Sequence, residues 1–192
     1  GVYHRCMYIV SIANEYLLQT TDEMMASRGI RADFMPTVHG YRNEARFVRA
    51  LAYYILMDSF GRPPFITEDN YSKEPSQLSR TDLFNWIEGE LKDLATILPP
   101  ARSTYGRADQ GVVYALLSRM YLNAKVYTGV ERYTDCITAS KNVIGAGYIL
   151  APSYANLFKA DNNLTSASEI IFPIVYDGSS TQTYGGMRFL IS

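Results

Sequence analysis

Two cysteines, two histidines and a single tryptophan in 192 residues exclude several kinds of chemistry at the outset. Cys6 and Cys136 lie far apart, and neither has a second Cys or a His nearby at ligand spacing. The chain therefore encodes no disulfide framework and no cysteine-rich metal site. Cys6 follows Tyr3-His4-Arg5 rather than a short apolar segment ending in small residues, so it is not a lipid-anchor position. His4 and His39 have no partner at metal spacing, and surface or turn positions are expected for both. No Gly-x-Ser-x-Gly turn and no phosphate loop occurs. Triads assemble from distant residues, so a missing local motif is only part of the case against an enzyme. Acidic neighbours such as Glu68-Asp69 fall in a loop and would serve glycoside hydrolysis only if a cleft set two carboxyls at a fixed separation. No apolar run is long enough for a membrane-spanning helix. Charge is balanced, with 18 basic against 19 acidic residues and no basic patch, which excludes nucleic acid as a partner. No pattern calls for a cofactor or a metal.

What is present is apolar and aromatic. Hydrophobic residues make up 47% against 19% charged, the balance of a chain that folds around a core. Tyrosine is abundant, 16 against 8 Phe. Its flat face and polar tip suit wet interfaces and sugar stacking as well as core edges. The start at Gly1-Val2-Tyr3 and the run 187–192 read as an internal fragment, with any anchor or targeting segment outside it.

Periodicity is helical almost throughout. Met7, Val10, Leu17 and Met24 mark a first helix over 3–27, stopped at Arg28-Gly29. Residues 30–40, with Pro36 and Gly40, read as a connection. Residues 41–58 form a second helix whose broad apolar face (Phe47, Val48, Leu51, Ala52, Tyr54, Ile55) suits packing on two sides, with Arg42, Arg46 and Arg49 along one flank. Gly61, Pro63 and Pro64 end it, and 65–78 is a polar loop. Ser79 is an N-cap with Asp82 three residues on, and Leu83, Ile87, Leu91, Leu94 and Leu98 follow as far as Pro99-Pro100. A helix is expected from Gly106 to about Tyr127, and another from about Glu131 to Ile144. Tyr154 to Lys159 forms a helical turn. Glu169 to Tyr176 reads as a strand, with Pro173 placing it at an edge.

Tyr114, Leu117, Ser118 and Tyr121 on one helix, and Tyr133, Cys136, Ser140 and Val143 on the next, fit the spacing of a tetratricopeptide unit. Small residues there let two antiparallel helices approach, and large ones fill the gaps between pairs. An ordinary helical hairpin fits the same residues.

Three segments carry a more specific likeness. Asn43-Glu44-Ala45-Arg46-Phe47-Val48-Arg49-Ala50 is followed by Phe60-Gly61-Arg62-Pro63-Pro64-Phe65-Ile66. Gly106-Arg107-Ala108 is followed by Ala115-Leu116-Leu117-Ser118-Arg119-Met120-Tyr121-Leu122. Last come Gly147-Tyr148-Ile149-Leu150, Tyr154-Ala155-Asn156-Leu157-Phe158 and Glu169-Ile170-Ile171-Phe172. In this order the segments resemble the SusD/RagB family, over about residues 41–190. The resemblance implies a mainly α fold of tetratricopeptide-like antiparallel helical pairs, an α-α superhelix, with a short β segment and irregular loops near the C-terminal end. It implies residues 1–160 as repeat scaffold and 161–192 as the truncated start of a ligand-binding region. It also implies a surface lipoprotein of the outer membrane, anchored through a segment outside this chain. Such a protein binds oligosaccharide or polysaccharide without cleaving it and delivers it to a TonB-dependent, SusC-like transporter. The alternative is a tetratricopeptide-type scaffold for a protein or peptide partner, which predicts an exposed apolar groove.

Few residues stand out as ligand groups. Glu44 and Arg46 read as an ion pair or cap of the scaffold rather than a ligand clamp. Trp86, between Phe84 and Ile87, reads as half-buried between helices. The loop 176–186 combines aromatic faces with hydroxyl, amide and carboxylate groups, the set that meets a sugar's C–H faces and hydroxyl rim. Tyr184 is the expected stacking residue, with Asp177 and Gln182 as hydrogen-bond partners. A plain polar loop is the alternative.

Overall fold

The computed structural model describes residues 1–71, 74–176 and 178. Asp177, Gln182 and Tyr184 therefore lie outside the described residues.

Helix α1 (Val2–Gln19) buries Cys6, Val10, Ala13, Asn14 and Leu17 along one stripe. The helix expected over 3–27 is broken at Thr20. The Thr20 hydroxyl donates back to the Tyr16 carbonyl at 2.6 Å, and Thr21 caps a short new helix, α2 (Asp22–Ser27), accepting from the Met24 amide at 3.3 Å. The expected connection 30–40 is shorter than its Pro and Gly suggested. Helix α3 (Met35–Phe60) starts with Pro36 in its first turn, where no intrahelical N–H is needed, and runs through Gly40. It stops at Gly61, whose φ of 80° no side-chain-bearing residue adopts cheaply.

The segment 64–78, expected from 65 on as a polar loop, holds the two short strands, β1 (Pro64–Phe65) and β2 (Ser76–Gln77), paired antiparallel with Phe65 opposite Ser76. Helix α4 (Arg80–Ile97) begins as the sequence indicated: Ser79 accepts from the Asp82 amide at 3.0 Å and donates to its carboxylate at 2.6 Å. The next expected helix starts later and is split. Asp109 caps α5 (Gln110–Leu122), and after Asn123 the short α6 (Ala124–Thr128) ends at Gly129. Helix α7 (Tyr133–Gly145) follows, then a 3-10 turn (Tyr154–Phe158) and α8 (Asn162–Thr165). Residues 169–176 form no strand. Pro173 offers no N–H, and no strand pairs with the segment among the described residues. It is held by side chains instead, with the Phe172 ring edge-on to Phe47 at 5.5 Å and Ile171 against the core.

The long helices stack in antiparallel succession, as contacts at their ends show. Tyr3 meets Phe60 while Arg42 donates to the Leu17 carbonyl, which sets α1 against α3. Arg80 donates to the Met57 carbonyl while Arg46 meets Glu90, which sets α3 against α4. Gln110 donates to the Leu98 carbonyl, setting the start of α5 beside the end of α4. Arg132 lies over the Tyr121 ring, and Ser118 bonds Ser140 at 2.7 Å, which pairs α5 with α7 through the small residues of the tetratricopeptide-like unit. The fold is mainly α, as the sequence indicated.

The core lies between α3, α4 and α5, where Phe47, Tyr53, Leu56, Met57, Ile87, Leu91, Leu94, Val113 and Met120 are fully buried. Among the described residues no helix is long and apolar enough to cross a membrane.

Candidate functional site

The residues singled out from the sequence as scaffold take scaffold roles. Glu44 and Arg46 do not pair with each other. Glu44 accepts from Arg107 Nε at 2.7 Å, and Arg46 bridges Glu90 at 2.9 Å and Asp93 at 2.7 Å. Trp86 is half-buried, edge-on to Tyr53 and Phe65, with the Arg49 guanidinium 5.3 Å from its ring centre. His39 is paired with Asp22 at 2.7 Å, and His4 sits edge-on to Tyr3.

Open, chemically mixed space lies elsewhere, where the α4–α5 connection, the turn after α7 and the segment 160–176 converge. A cleft of about 180 Å³ is lined by Arg102, Thr104, Tyr105, Asp109, Tyr148 and Pro173, among others. A second cleft of about 390 Å³ adjoins it, sharing Tyr105, Ile170 and Pro173 and adding Asn162, Asn163 and Tyr176.

The first cleft is built around Asp109, which is 4% exposed. One carboxylate oxygen accepts from the Val112 amide at 3.2 Å as the helix cap, and the other accepts from the Arg102 amide at 2.6 Å. That second bond holds Arg102 at φ 64°, the only positive φ at a non-glycine residue among those described. Such a conformation costs energy and persists only when its surroundings fix it. The Arg102 guanidinium donates to the Gly147 carbonyl and lies 5.8 Å from the Tyr148 ring centre.

Two glycines let the walls close. A Cβ on Gly111 would collide with the Tyr148 hydroxyl, and one on Gly106 would come within 2.7 Å of Val175 Cγ2. The far wall is tied on by the Ile149 amide donating to the Ser168 carbonyl at 3.0 Å and the Ala151 amide donating to Glu169 at 2.7 Å. The Tyr148 hydroxyl is buried without a partner, although buried polar atoms nearly always have one. Burial, with Asp109 adding to it and Arg102 opposing, pushes the Tyr148 phenol above its usual pKa.

Tyr105 and Tyr176 are 44% and 57% exposed and give the combined cleft two aromatic faces; Asn162 and Asn163 add amides. Its only described carboxylate, Asp109, is committed to backbone amides. Neither histidine and neither cysteine lines it. Such a set offers faces for stacking and donors and acceptors for hydrogen bonds to a polyhydroxylated ligand.

Of the expected loop 176–186, the structure describes Tyr176, which lines the cleft, and Gly178. Tyr105, Tyr148, Arg102 and Asn162 were not singled out for ligand binding from the sequence, because nothing in it joins four segments that meet only after folding. Gly106 and Gly147, inside the family-like motifs, were the available signal.

Comparison with known proteins agrees with the architecture. The starch-binding protein SusD of Bacteroides thetaiotaomicron is 36% identical over 194 residues, covering 99% of this chain and 33% of that protein. The likeness to a SusD protein thus runs over nearly the whole of this chain. The chain spans about a third of the length of that relative. A SusD-like protein from Bacteroides fragilis superposes with a TM-score of 0.61 at 25% identity, covering 73% of this chain and 28% of its own. A structure determined with a xylogluco-oligosaccharide superposes with a TM-score of 0.68 at 23% identity, covering 85% of this chain and 33% of its own, and so shares the fold. No protein-family model matches the sequence.

Proposed function

We propose that this SusD-like chain is the scaffold and part of the ligand site of a non-catalytic saccharide-binding protein. It holds oligosaccharide at the bacterial surface and delivers it to a TonB-dependent, SusC-like transporter of the outer membrane. A lipid anchor outside this sequence would keep it there. In this reading residues 1–160 are the helical scaffold and 161–192 begin the ligand-binding region. The observation that carries the reading is the cleft at Tyr105, Tyr148 and Tyr176, which is rich in aromatic faces and polar donors and has no free acid-base pair among its described residues. The similarity over nearly the whole chain to a starch-binding protein supports a saccharide as the ligand.

Tyr184 is proposed as a further stacking face, with Asp177 and Gln182 as hydrogen-bond partners. They belong to the stretch of chain that follows Tyr176, and Tyr176 lines the cleft.

A glycan array followed by titration calorimetry tests this. Starch-derived and other oligosaccharides should bind without product forming on long incubation. Tyr105→Ala should weaken binding by about tenfold, the loss of one aromatic stacking contact. Unchanged affinity in Tyr184→Ala would remove that residue from the site, and hydrolysis of the ligand or an array with no hit would sink the reading.

A scaffold for a protein partner is the second reading. The observation that favours it is an exposed apolar groove between α1 and α3.

A further inference from the structure

Most of the charge around the cleft at Tyr105 is already paired or bonded. Asp109, 4% exposed, gives its carboxylate to the Val112 and Arg102 amides and caps α5, whose N-terminal dipole offsets its charge. Glu169, on the far wall, accepts from the Ala151 amide at 2.7 Å. Arg107, next to Gly106, is paired with Glu44. Arg102 differs. Its Nη1 donates to the Gly147 carbonyl and the Tyr148 ring braces the guanidinium from 5.8 Å. Among the described residues no carboxylate pairs with it, and no hydrogen-bond partner holds its Nε or Nη2. The residue is exposed and lines the cleft beside Tyr105.

We propose that the saccharide taken by this cleft carries a carboxylate, as uronic acids do, and that Arg102 receives it. This inference rests on the saccharide reading of the cleft and narrows it to one ligand class. A neutral ring stacked on Tyr105 would cover the Arg102 cation without an opposite charge, and a cation drawn out of water unpaired costs binding energy. A carboxylate removes that cost. It meets the Nε–Nη2 edge with two parallel N–H···O bonds, a geometry that a guanidinium fork offers and an ammonium does not. The edge is also in place before the ligand arrives. The Asp109 bond fixes the Arg102 backbone at φ 64°, and the Gly147 carbonyl fixes the other end of the side chain. The carboxylates that would repel such a ligand are the two already bound to backbone amides.

The test is an array of uronide oligosaccharides of several linkages, each beside its carboxyl-reduced, neutral form, with calorimetry on the pairs that bind. At least one uronide should bind about tenfold tighter than its reduced form, the worth of a hydrogen-bonded charge pair. That ratio should shrink about threefold or more between about 0.02 M and 0.5 M sodium chloride, because exposed charges are screened. Arg102→Gln should bring the ratio close to one, and Arg102→Lys should restore the salt dependence but only part of the ratio. Neutral saccharides that bind with no gain from a carboxylate would overturn the inference and leave the saccharide reading standing. An array with no hit would overturn both. A ratio that Arg102→Gln leaves intact, or a sulfated oligosaccharide preferred to every uronide, would also overturn it. If the variants fail to fold, the ratio and its salt dependence in the unsubstituted protein still decide.

Discussion

At the scale of single residues, the scaffold is fixed by buried charge as much as by apolar packing. Arg49 is 2% exposed and binds Asn14 at 2.7 Å, Glu90 at 3.3 Å and Glu68 at close range, joining α1, α3, α4 and the hairpin loop. Truncation would strip Glu68 of its guanidinium partner in a partly buried site and leave Glu90 with Arg46. Arg49→Ala should therefore lower stability by about 3 kcal/mol in urea unfolding. Arg49→Lys should recover only part of that, because one ammonium cannot span the same three partners. A loss below about 1 kcal/mol would show the network to be a surface ornament. Glu88 makes a pH-dependent contribution. Burial alone would raise its pKa, but hydrogen bonds from Lys92, Arg132 and Tyr121 outweigh burial and hold it below the usual carboxylate range. A carboxyl depressed in the folded state stabilises the fold above its unfolded pKa of about 4.3 and loses that contribution as the pH falls through the folded value. Glu88→Gln should accordingly lower stability at pH 7 and flatten its fall below about pH 4.3, read from urea midpoints across pH. A parallel shift of the whole curve would show that the carboxylate's titration does not matter. Tyr53 has the opposite character: burial pushes its phenol up to about 12, so it stays a neutral donor and acceptor, clamping Ile66 through its carbonyl at 2.8 Å and its amide at 2.7 Å.

At the scale of elements, the close pairing of α5 with α7 and of α5 with the turn behind it depends on small side chains. Gly111→Ala places a methyl where the Tyr148 hydroxyl sits and should cost about 1–3 kcal/mol, as overpacking in a filled space does. Tyr148→Phe removes that hydroxyl, so the double variant should regain part of the loss in a double-mutant cycle. Additive losses would mean that Ala101 and Asp109, also near the new methyl, set the cost. The same contrast explains what the sequence disclosed. The stripe Leu83, Ile87, Leu91 and Leu94 and the Ser79 cap were legible because helix period and capping chemistry are local. The meeting of Ser118 with Cys136 and Ser140 was legible because repeat spacing encodes it. The break at Thr20–Thr21 was not, since apolar spacing runs across it and only the choice of hydroxyl partners decides. Pro36 was read as part of a connection, although its fixed φ also serves a helix start. The 169–176 segment looked like a strand because β-branched residues suit any half-buried extended backbone, and only a partner strand makes them a sheet. The cleft was least legible of all. Asp109, Arg102 and Tyr148 meet through the folded path of the chain, and Arg102's positive φ has no signature in sequence.

At the scale of the molecule, the helices form a nearly linear series in which α1 packs on α3, α3 on α4, α4 on α5, and α5 on α7. Stability in such a series is a sum over neighbours, so members with neighbours on both sides are held most firmly. Helices α3, α4 and α5 each have two, and α3 and α4 between them hold most of the fully buried large side chains, Tyr53, Phe47, Phe84, Leu56, Met57, Leu83, Ile87, Leu91 and Leu94 among them. Helix α7 rests chiefly on α5. Native-state hydrogen exchange should therefore find the slowest amides in α3 and α4, opening only on global unfolding, and α7 should exchange through local opening at least a hundredfold faster. Saccharide binding should change this order in one place. The cleft is walled by the α4–α5 connection, the turn after α7 and the segment 160–176, so a ligand held there ties the end of α7 back onto the start of α5. Protection should rise in α7 and at residues 147–151 while α3 and α4 stay unchanged. If ligand slowed exchange in α3 and α4 instead, the recognition surface would have to lie on the other side of the stack, and the cleft at Tyr105 would lose its role.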